Sequence, residues 1–250
     1  MIAITRHVSP RIAEAELTHL DRRPISFDRA ADQHRRYESW LASHGCTIVR
    51  APDAPDHPDG VFVEDTAVVL EEVAVLTRPG AESRRGEIES IAPIVAKHRE
   101  LRTIEAPATI DGGDVLRIGR TLYVGQSTRT NAQAVEQLQS LLKSYDYRVV
   151  AVRVDGILHL KSAASTLGDD LILCNPAYVD AASFDTRAVF VDEGEPGAAN
   201  VLRIGDVLLQ SSSFPRTRKI LEREGFRVET VDYDELEKAE AGVTCCSIIV

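Results

Sequence analysis

The sequence predicts an α/β fold arranged as a ring of about five repeated units, and three observations carry that reading. First, the core VLRIG of residues 115–119 recurs letter for letter at 201–205. Both copies sit in one grammar of turn, short strand, tight turn and second strand. It is complete at residues 111–125, with strands over 115–118 and 122–124 and the turn at Gly119-Arg120. Second, three more stretches share the grammar: 61–77, 158–174, and a split one joining 243–250 to 1–5. Repetition every ~35–50 residues marks a radial or stacked array. Third, strands alternate with helical stretches, yet neither G-x-G-x-x-G nor G-x-x-x-x-G-K occurs, which argues against a doubly wound nucleotide-binding sheet. A ring is the economical solution, because the two termini then pair as one hairpin and close it.

Taken in order, residues 1–5 form a short apolar strand. Residues 7–27 are polar and patternless, with Pro10 and Pro24, as expected of a surface loop that acts as a lid. A helix is predicted over 29–44, with His34, Tyr37, Leu41 and His44 on one face and Gly45 as its stop. Residues 46–50 are a strand, followed by a Pro/Asp-rich loop and the hairpin of 61–77, in which Glu64 and Asp65 interrupt an apolar strand. Pro79-Gly80 turns the chain, Ser83 caps a helix to about residue 90, and Pro93 kinks or ends it. A strand at 101–105 leads into the hairpin of 111–125. The helix of 128–145 aligns Ala134, Leu138, Leu141 and Leu142, with a strand at 147–152 and the hairpin of 158–174. The fourth helix falls within 178–184. The fifth spans 215–224, with strands at 226–231 and at the C-terminus.

A 250-residue chain can bury a substantial core, and its composition is that of a globular protein. The net charge of −10 disfavours nucleic acid and anionic membrane and leaves room for a cationic small ligand. No stretch approaches a membrane span, and the N-terminus carries no apolar run long enough for a secretory signal. Cys46, Cys174, Cys245 and Cys246 fit neither a disulfide framework nor a zinc site. A cytoplasmic protein is expected.

The loop before each hairpin carries unusual polar residues: Asp59, Glu64 and Asp65; Asp111 and Asp114; His159; Asn200; Cys245. In a closed ring these loops converge on the axis and join a thiol, an imidazole and carboxylates, a nucleophile–base set with cation-binding walls. Each has an alternative: Cys245 as a small buried hydrophobe, His159 as a satisfied core residue of an alternating strand, Asp111 as a turn former. Glu64 and Asp65 are harder to dismiss, since buried carboxylates are costly unless paired with a cation. Arg84 and Arg129 fall in expected first turns of helices, against the helix dipole. That placement suits a substrate carboxylate, with pairing to nearby glutamates as the alternative.

The motifs FVEDTAVV, TRPGAESRRGE, DGGDVL, GQSTRTNA, LHLKS, GAAN and the terminal TCCS resemble the dimethylarginine dimethylaminohydrolase family of the guanidino-group-modifying superfamily. The resemblance spans nearly the whole chain. It implies a five-bladed α/β propeller, the pentein fold, as a single catalytic domain over 1–250. It also implies Cys245 as nucleophile, His159 as general acid and base, and Asp111, Glu64 and Asp65 as the residues that hold the guanidinium and orient the histidine. Asp59 falls on an amino-group ligand, Arg84 and Arg129 on a carboxylate clamp, and Leu17 and Ala239 on backbone contacts to the substrate. Cys246 is expected on the opposite strand face from Cys245. The implied reaction converts methylated arginine to citrulline and dimethylamine through a covalent thiouronium, with no metal or organic cofactor, although Cys245 and His159 would trap zinc as an inhibitor. Whether the chain dimerises stays open. The rival readings are an arginine deiminase, usually longer through an inserted helical segment, and a non-catalytic binder on the same fold.

Overall fold

In the computed structural model, which describes residues 1–168 and 170–250, the five repeats become five three-stranded sheets of one pattern. The first holds β1 (Ile2–Thr5), α1 (Phe27–Ser43) and β2 (Thr47–Arg50). The second holds β3 (Ala67–Val69), β4 (Val73–Leu76), α2 (Ile88–Val95) and β5 (Glu100–Thr103). The third holds β6 (Val115–Ile118), β7 (Thr121–Gln126), α3 (Ala132–Leu142) and β8 (Arg148–Arg153). A short helix α4 (Leu160–Ala163) precedes β9 (Ala164–Gly168), β10 (Leu171–Cys174) and β11 (Arg187–Phe190) in the fourth. The fifth holds β12 (Leu202–Ile204), β13 (Val207–Ser211), α5 (Pro215–Arg223) and β14 (Arg227–Val231). Then come α6 (Asp234–Glu237) and β15 (Ile248–Ile249).

Every sheet pairs two strands antiparallel and adds a third parallel to the middle one. In the first sheet the antiparallel partner is β15, with Ala3 opposite Ile249 and Ile4 opposite Ile248. The two ends of the chain therefore build one sheet, as ring closure requires. Five apolar clusters fill the wedges between neighbouring sheets. Val73 and Val75 meet Leu122 and Val124 in one, Leu116 and Tyr123 meet Ile172 in the next, and Leu173 meets Leu208 in a third. Ile4 and Ile248 meet Ala74 and Leu76, and Ala3 meets Leu209 in the wedge that closes the circuit. The tight turns of the two VLRIG hairpins use Gly119 at φ +56 and Gly205 at φ +61, a region that favours glycine.

Several local expectations change. Helix α1 begins at Phe27 because the Ser26 hydroxyl accepts from Arg29 N at 3.4 Å. Residues 63–66 form a 3-10 turn and not a strand, so the carboxylates of Glu64 and Asp65 diverge around it. Ser83 lies inside a 3-10 helix, Glu82–Glu87, and donates to Glu16 Oε1 at 2.7 Å, while α2 continues through Pro93. Helix α3 starts at Ala132, where the Asn131 side chain accepts from Ala134 N, and Arg129 therefore precedes the helix. His159 sits in extended backbone ahead of α4 and not in an alternating strand. In the fourth unit the crossover is a single 3-10 turn, Ala181–Ser183, capped by Asp180. Cys245 and Cys246 lie in a turn ahead of β15, so their side chains part because of that turn and not because of strand alternation.

Candidate active site

The 3-10 turns Val63–Thr66 and Gly112–Asp114 pack against each other, and α4 packs on the second. This brings Asp65, Asp111 and His159 together, all buried. His159 Nε2 hydrogen-bonds Asp111 Oδ2 at 3.0 Å, and its Nδ1 lies 3.9 Å from Asp65 Oδ1. Such closeness depends on two glycines. A Cβ at Gly112 would fall 2.0 Å from the Glu64 carbonyl oxygen, and one at Gly113 would fall 2.6 Å from His159 Nδ1. Gly113 N instead donates to Asp65 Oδ1 at 2.9 Å, and Gly80 N donates to Asp111 Oδ1 at 2.9 Å. Asp114 accepts from the hydroxyls of Ser127 and Thr130, each at 2.6 Å, and from Leu160 N at 2.9 Å, which fixes the backbone just after His159.

Charge follows from this packing. Burial pushes the His159 imidazolium down, but Asp65, the Asp111 hydrogen bond and Asp114 outweigh it and lift the group to about 9. Burial pushes Asp65 up, and the opposing His159 and Arg84 charges hold it below the usual carboxylate range. Burial pushes Asp114 up to about 6, against the opposing His159 charge. Asp65, Asp111 and His159 also form the group with metal-ligand spacing among the described residues, their ligand atoms within 4.8 Å of one another. Arg84 and the Asp111–His159 hydrogen bond already engage those atoms.

Cys245 faces the same cavity as Asp65 and His159. Gly242 N donates to its sulfur at 3.3 Å, and its carbonyl accepts from Glu64 N at 3.1 Å, which ties the cysteine turn to the carboxylate turn. Burial, then the nearby Glu64 and Asp65, pushes its thiol well above the ordinary range. Cys246 is sequestered in the core: Tyr233 Oη donates to its sulfur at 2.8 Å, and burial pushes that thiol up to about 12.

Over this cavity lies the segment 7–27, closed. Glu16 N donates to both Asp59 oxygens, at 3.2 and 3.1 Å. Thr18, His19 and Leu20 N all donate to the Glu240 carboxylate, at 2.9, 2.5 and 2.6 Å. Arg129 Nη2 reaches the Thr18 hydroxyl at 3.0 Å. The cavity beneath has a volume of about 10 Å³, room for about one water molecule. Asp59, buried under the segment, is pushed up to about 6 by that burial.

The structure thus gathers Asp59, Asp65, Arg84, Arg129, His159, Ala239 and Cys245 around one cavity, with Asp111 behind His159. Two of the expected residues are already engaged in this structure. Glu64 faces elsewhere: Lys161 Nζ and the Thr244 hydroxyl each bind it at 2.7 Å, and it lines a separate cavity of about 250 Å³. Arg84 is not a free clamp, because it binds Asp65 at 2.6 Å, Glu87 at 2.9 Å and the Phe62 carbonyl at 3.1 Å. Leu17 is half-buried and does not line the cavity in this closed state. Sequence reasoning missed Glu16 and Glu240, which meet the site only through tertiary folding. Glu240 stands at φ +60, a conformation rare outside glycine, and no motif announces it.

The arginine deiminase family model matches residues 52–204. A dimethylarginine dimethylaminohydrolase from Streptomyces coelicolor is 42% identical over 98% of this chain and 95% of its own. Its Pseudomonas aeruginosa namesake is 35% identical over 89% of each. A solved Pseudomonas aeruginosa structure, a cysteine-to-serine variant complexed with citrulline, superposes with a TM-score of 0.93 at 32% identity, covering 98% of this chain and 97% of that one. A histidine-to-glycine variant of a dimethylarginine dimethylaminohydrolase, solved as its adduct with S-methyl-L-thiocitrulline, superposes at 0.90 and 32% identity over 98% of both. The chain therefore belongs to the arginine deiminase family, on its dimethylarginine dimethylaminohydrolase branch.

Proposed function

We propose that residues 1–250 act as a single catalytic domain that hydrolyses Nω,Nω-dimethylarginine, and monomethylarginine, to citrulline and the methylated amine in the cytoplasm. The observation that carries this reading is the joint burial of the Cys245 thiol, the His159 imidazole and Asp65 in one cavity, with Asp111 hydrogen-bonded to His159. A guanidinium is planar, permanently charged and rich in donors, and carboxylates match it. Asp65 holds the cation. Its arrival lowers the Cys245 thiol, whose proton passes to solvent, and the thiolate attacks the guanidinium carbon. As the C–N bond breaks, His159 gives its proton to the departing amine, which is otherwise a poor leaving group. The neutral imidazole then takes a proton from water, whose oxygen displaces sulfur and releases citrulline.

Arg129 is the arginine suited to the substrate carboxylate: among the described residues its Nη2 bonds the Thr18 hydroxyl of the lid, which moves away on opening, and its Nη1 stands 4.0 Å from Asp111 Oδ2. Arg129→Ala is expected to raise KM for dimethylarginine about 10- to 100-fold, the loss of roughly 1.5–3 kcal/mol of charged hydrogen bonding. Turnover of a guanidine lacking the carboxylate, such as agmatine, should not change. Equal losses on both substrates would assign Arg129 to the lid alone.

The pH dependence follows from the sign of the His159 shift. The imidazolium is the acid, so kcat/KM should fall as pH rises through about 9. Asp111→Asn removes the charge bonded to Nε2 and should bring that limb toward lower pH. An unmoved limb would leave Asp111 with a turn-forming role only. The parent activity is tested by assaying citrulline from dimethylarginine, monomethylarginine and arginine separately. Arginine alone as substrate would replace this reading with a deiminase.

A further inference from the structure

Asn200, the polar residue ahead of the fifth sheet's hairpin, is buried but does not face the catalytic cavity. Its amide instead joins the two chain segments that carry the reacting groups. On one side Oδ1 accepts from Thr244 N at 3.0 Å, one residue before Cys245. On the other, Nδ2 donates to the Lys161 carbonyl at 3.0 Å, two residues after His159, and to the Thr244 hydroxyl at 3.0 Å. Only an oxygen can take the Thr244 N–H, and only an N–H can meet the Lys161 carbonyl, so the amide fits in one orientation. The contacts run on to the sulfur. A Cβ at Gly242 would fall 2.2 Å from Asn200 Cγ, and Gly242 donates to Cys245 Sγ at 3.3 Å and accepts from Cys245 N at 3.1 Å. The path to the imidazole is equally short. Ser162 N donates to the His159 carbonyl at 3.0 Å, so Lys161 lies inside the turn that starts at His159. The Thr244 hydroxyl donates in turn to Glu64, which Lys161 Nζ also binds, each at 2.7 Å. Asn200, Thr244, Glu64 and Lys161 thereby close a ring of hydrogen bonds.

We propose that Asn200 is a positioning residue that holds the Cys245 sulfur in register with the His159 imidazole. The inference rests on the hydrolase reading above, in which sulfur attacks the guanidinium carbon and His159 protonates the amine leaving that carbon. The two groups come from different repeats, and among the described residues no hydrogen bond joins them directly. A displacement on the order of 1 Å between such groups costs about 100-fold in rate. Asp111 and Asp114 hold the histidine, and Glu64 N holds the Cys245 carbonyl, but each of these bonds fixes one partner alone. The Asn200 amide bonds the backbone of both. Without it the Cys245 carbonyl stays tied to Glu64 N, beside the Asp65 that holds the guanidinium, so attack by sulfur survives while the acid loses its place.

Single-turnover release of the leaving group, measured on the full chain as parent and as Asn200→Ala, tests this with two compounds. Dimethylarginine needs the thiolate and the acid together, whereas methanethiol leaves S-methyl-L-thiocitrulline without a proton and needs the thiolate alone. In Asn200→Ala dimethylamine release is expected to slow about tenfold or more, and methanethiol release by less than about threefold. The ratio of the two rates cancels any loss of folded protein or change in the thiol, which both compounds share. Asn200→Asp is nearly isosteric, keeps the acceptor for Thr244 N and loses both donated bonds, and its ratio should shift in the same direction. An unchanged ratio, whether both rates fall together or neither falls, would overturn the role. Unfolding of both variants would make Asn200 a stability residue and overturn it as well. Failure of the hydrolase reading is separately visible, as the absence of citrulline from any methylated arginine in the parent assay.

Discussion

Cys245→Ser is expected to abolish citrulline formation, and His159→Gly to leave a covalent adduct that does not turn over. The two losses differ in kind, which makes the pair informative. Without the thiol no sulfur–carbon bond forms, so intact-protein mass spectrometry should show no adduct with any substrate. Without the imidazole the first half-reaction still runs when the leaving group needs no proton, as with the methanethiol of S-methyl-L-thiocitrulline. The second half stalls because nothing takes the proton from water. Each change should lower steady-state turnover of dimethylarginine by about 100-fold or more, the usual contribution of a positioned acid–base group or nucleophile. A histidine-to-glycine relative has been solved as its adduct with that same compound. Cys246→Ser should behave like the parent, because the Cys246 sulfur is held in the core by Tyr233 and its thiol is pushed up to about 12. An adduct that survives Cys245→Ser but vanishes in Cys246→Ser would transfer the nucleophile to the second cysteine.

What could be read in advance divides along a physical line. The hairpins of 115–124 and 202–211 were legible because their information is local: alternating apolar residues and a glycine turn that only a positive φ satisfies. Ring closure was legible as well, since repetition plus an unpaired terminal strand leaves few other solutions. The residue types of the site were visible because Cys245, His159, Asp65 and Asp111 stand in equivalent loops of different repeats. Their partners were not. Residues 63–66 look like a strand by composition, but Glu64 N bonds to the Cys245 carbonyl and Asp65 is drawn to Arg84, and these contacts from distant sequence wind the segment into a 3-10 turn. Two adjacent acids then face different cavities, an outcome that no spacing rule encodes. Glu240 shows the same limit from the other direction, since its three lid amides lie more than two hundred residues away in the chain.

Arg84→Ala is expected to destabilise the fold by roughly 3–5 kcal/mol, the cost of removing one partner from a buried ion pair. Arg84 is buried with two carboxylates, Asp65 and Glu87, and no other arginine or lysine side chain is hydrogen-bonded to either among the described residues. Its loss leaves both acids desolvated without the cation that bonds them, and Asp65 keeps only His159 opposite it, so Asp65 binds a proton on folding more readily than in the parent. The sign is therefore fixed. In the parent, the depressed Asp65 contributes stability above its unfolded pKa and loses it only as pH falls through the still lower folded value. In Arg84→Ala burial lifts the folded Asp65 value instead, the folded state takes up a proton that the unfolded chain does not, and stability recovers as pH falls. Chemical denaturation at pH 5 and pH 7 reads this directly, with a smaller gap between parent and variant at pH 5. Activity should fall alike on dimethylarginine and on agmatine, since Asp65 serves the guanidinium common to both. Arg84→Lys, which keeps the charge and loses the two-pronged geometry, should recover part of the stability. A stability gap of equal size at both pH values would mean that Arg84 acts through packing, and a loss confined to substrates with a carboxylate would restore it to the clamp.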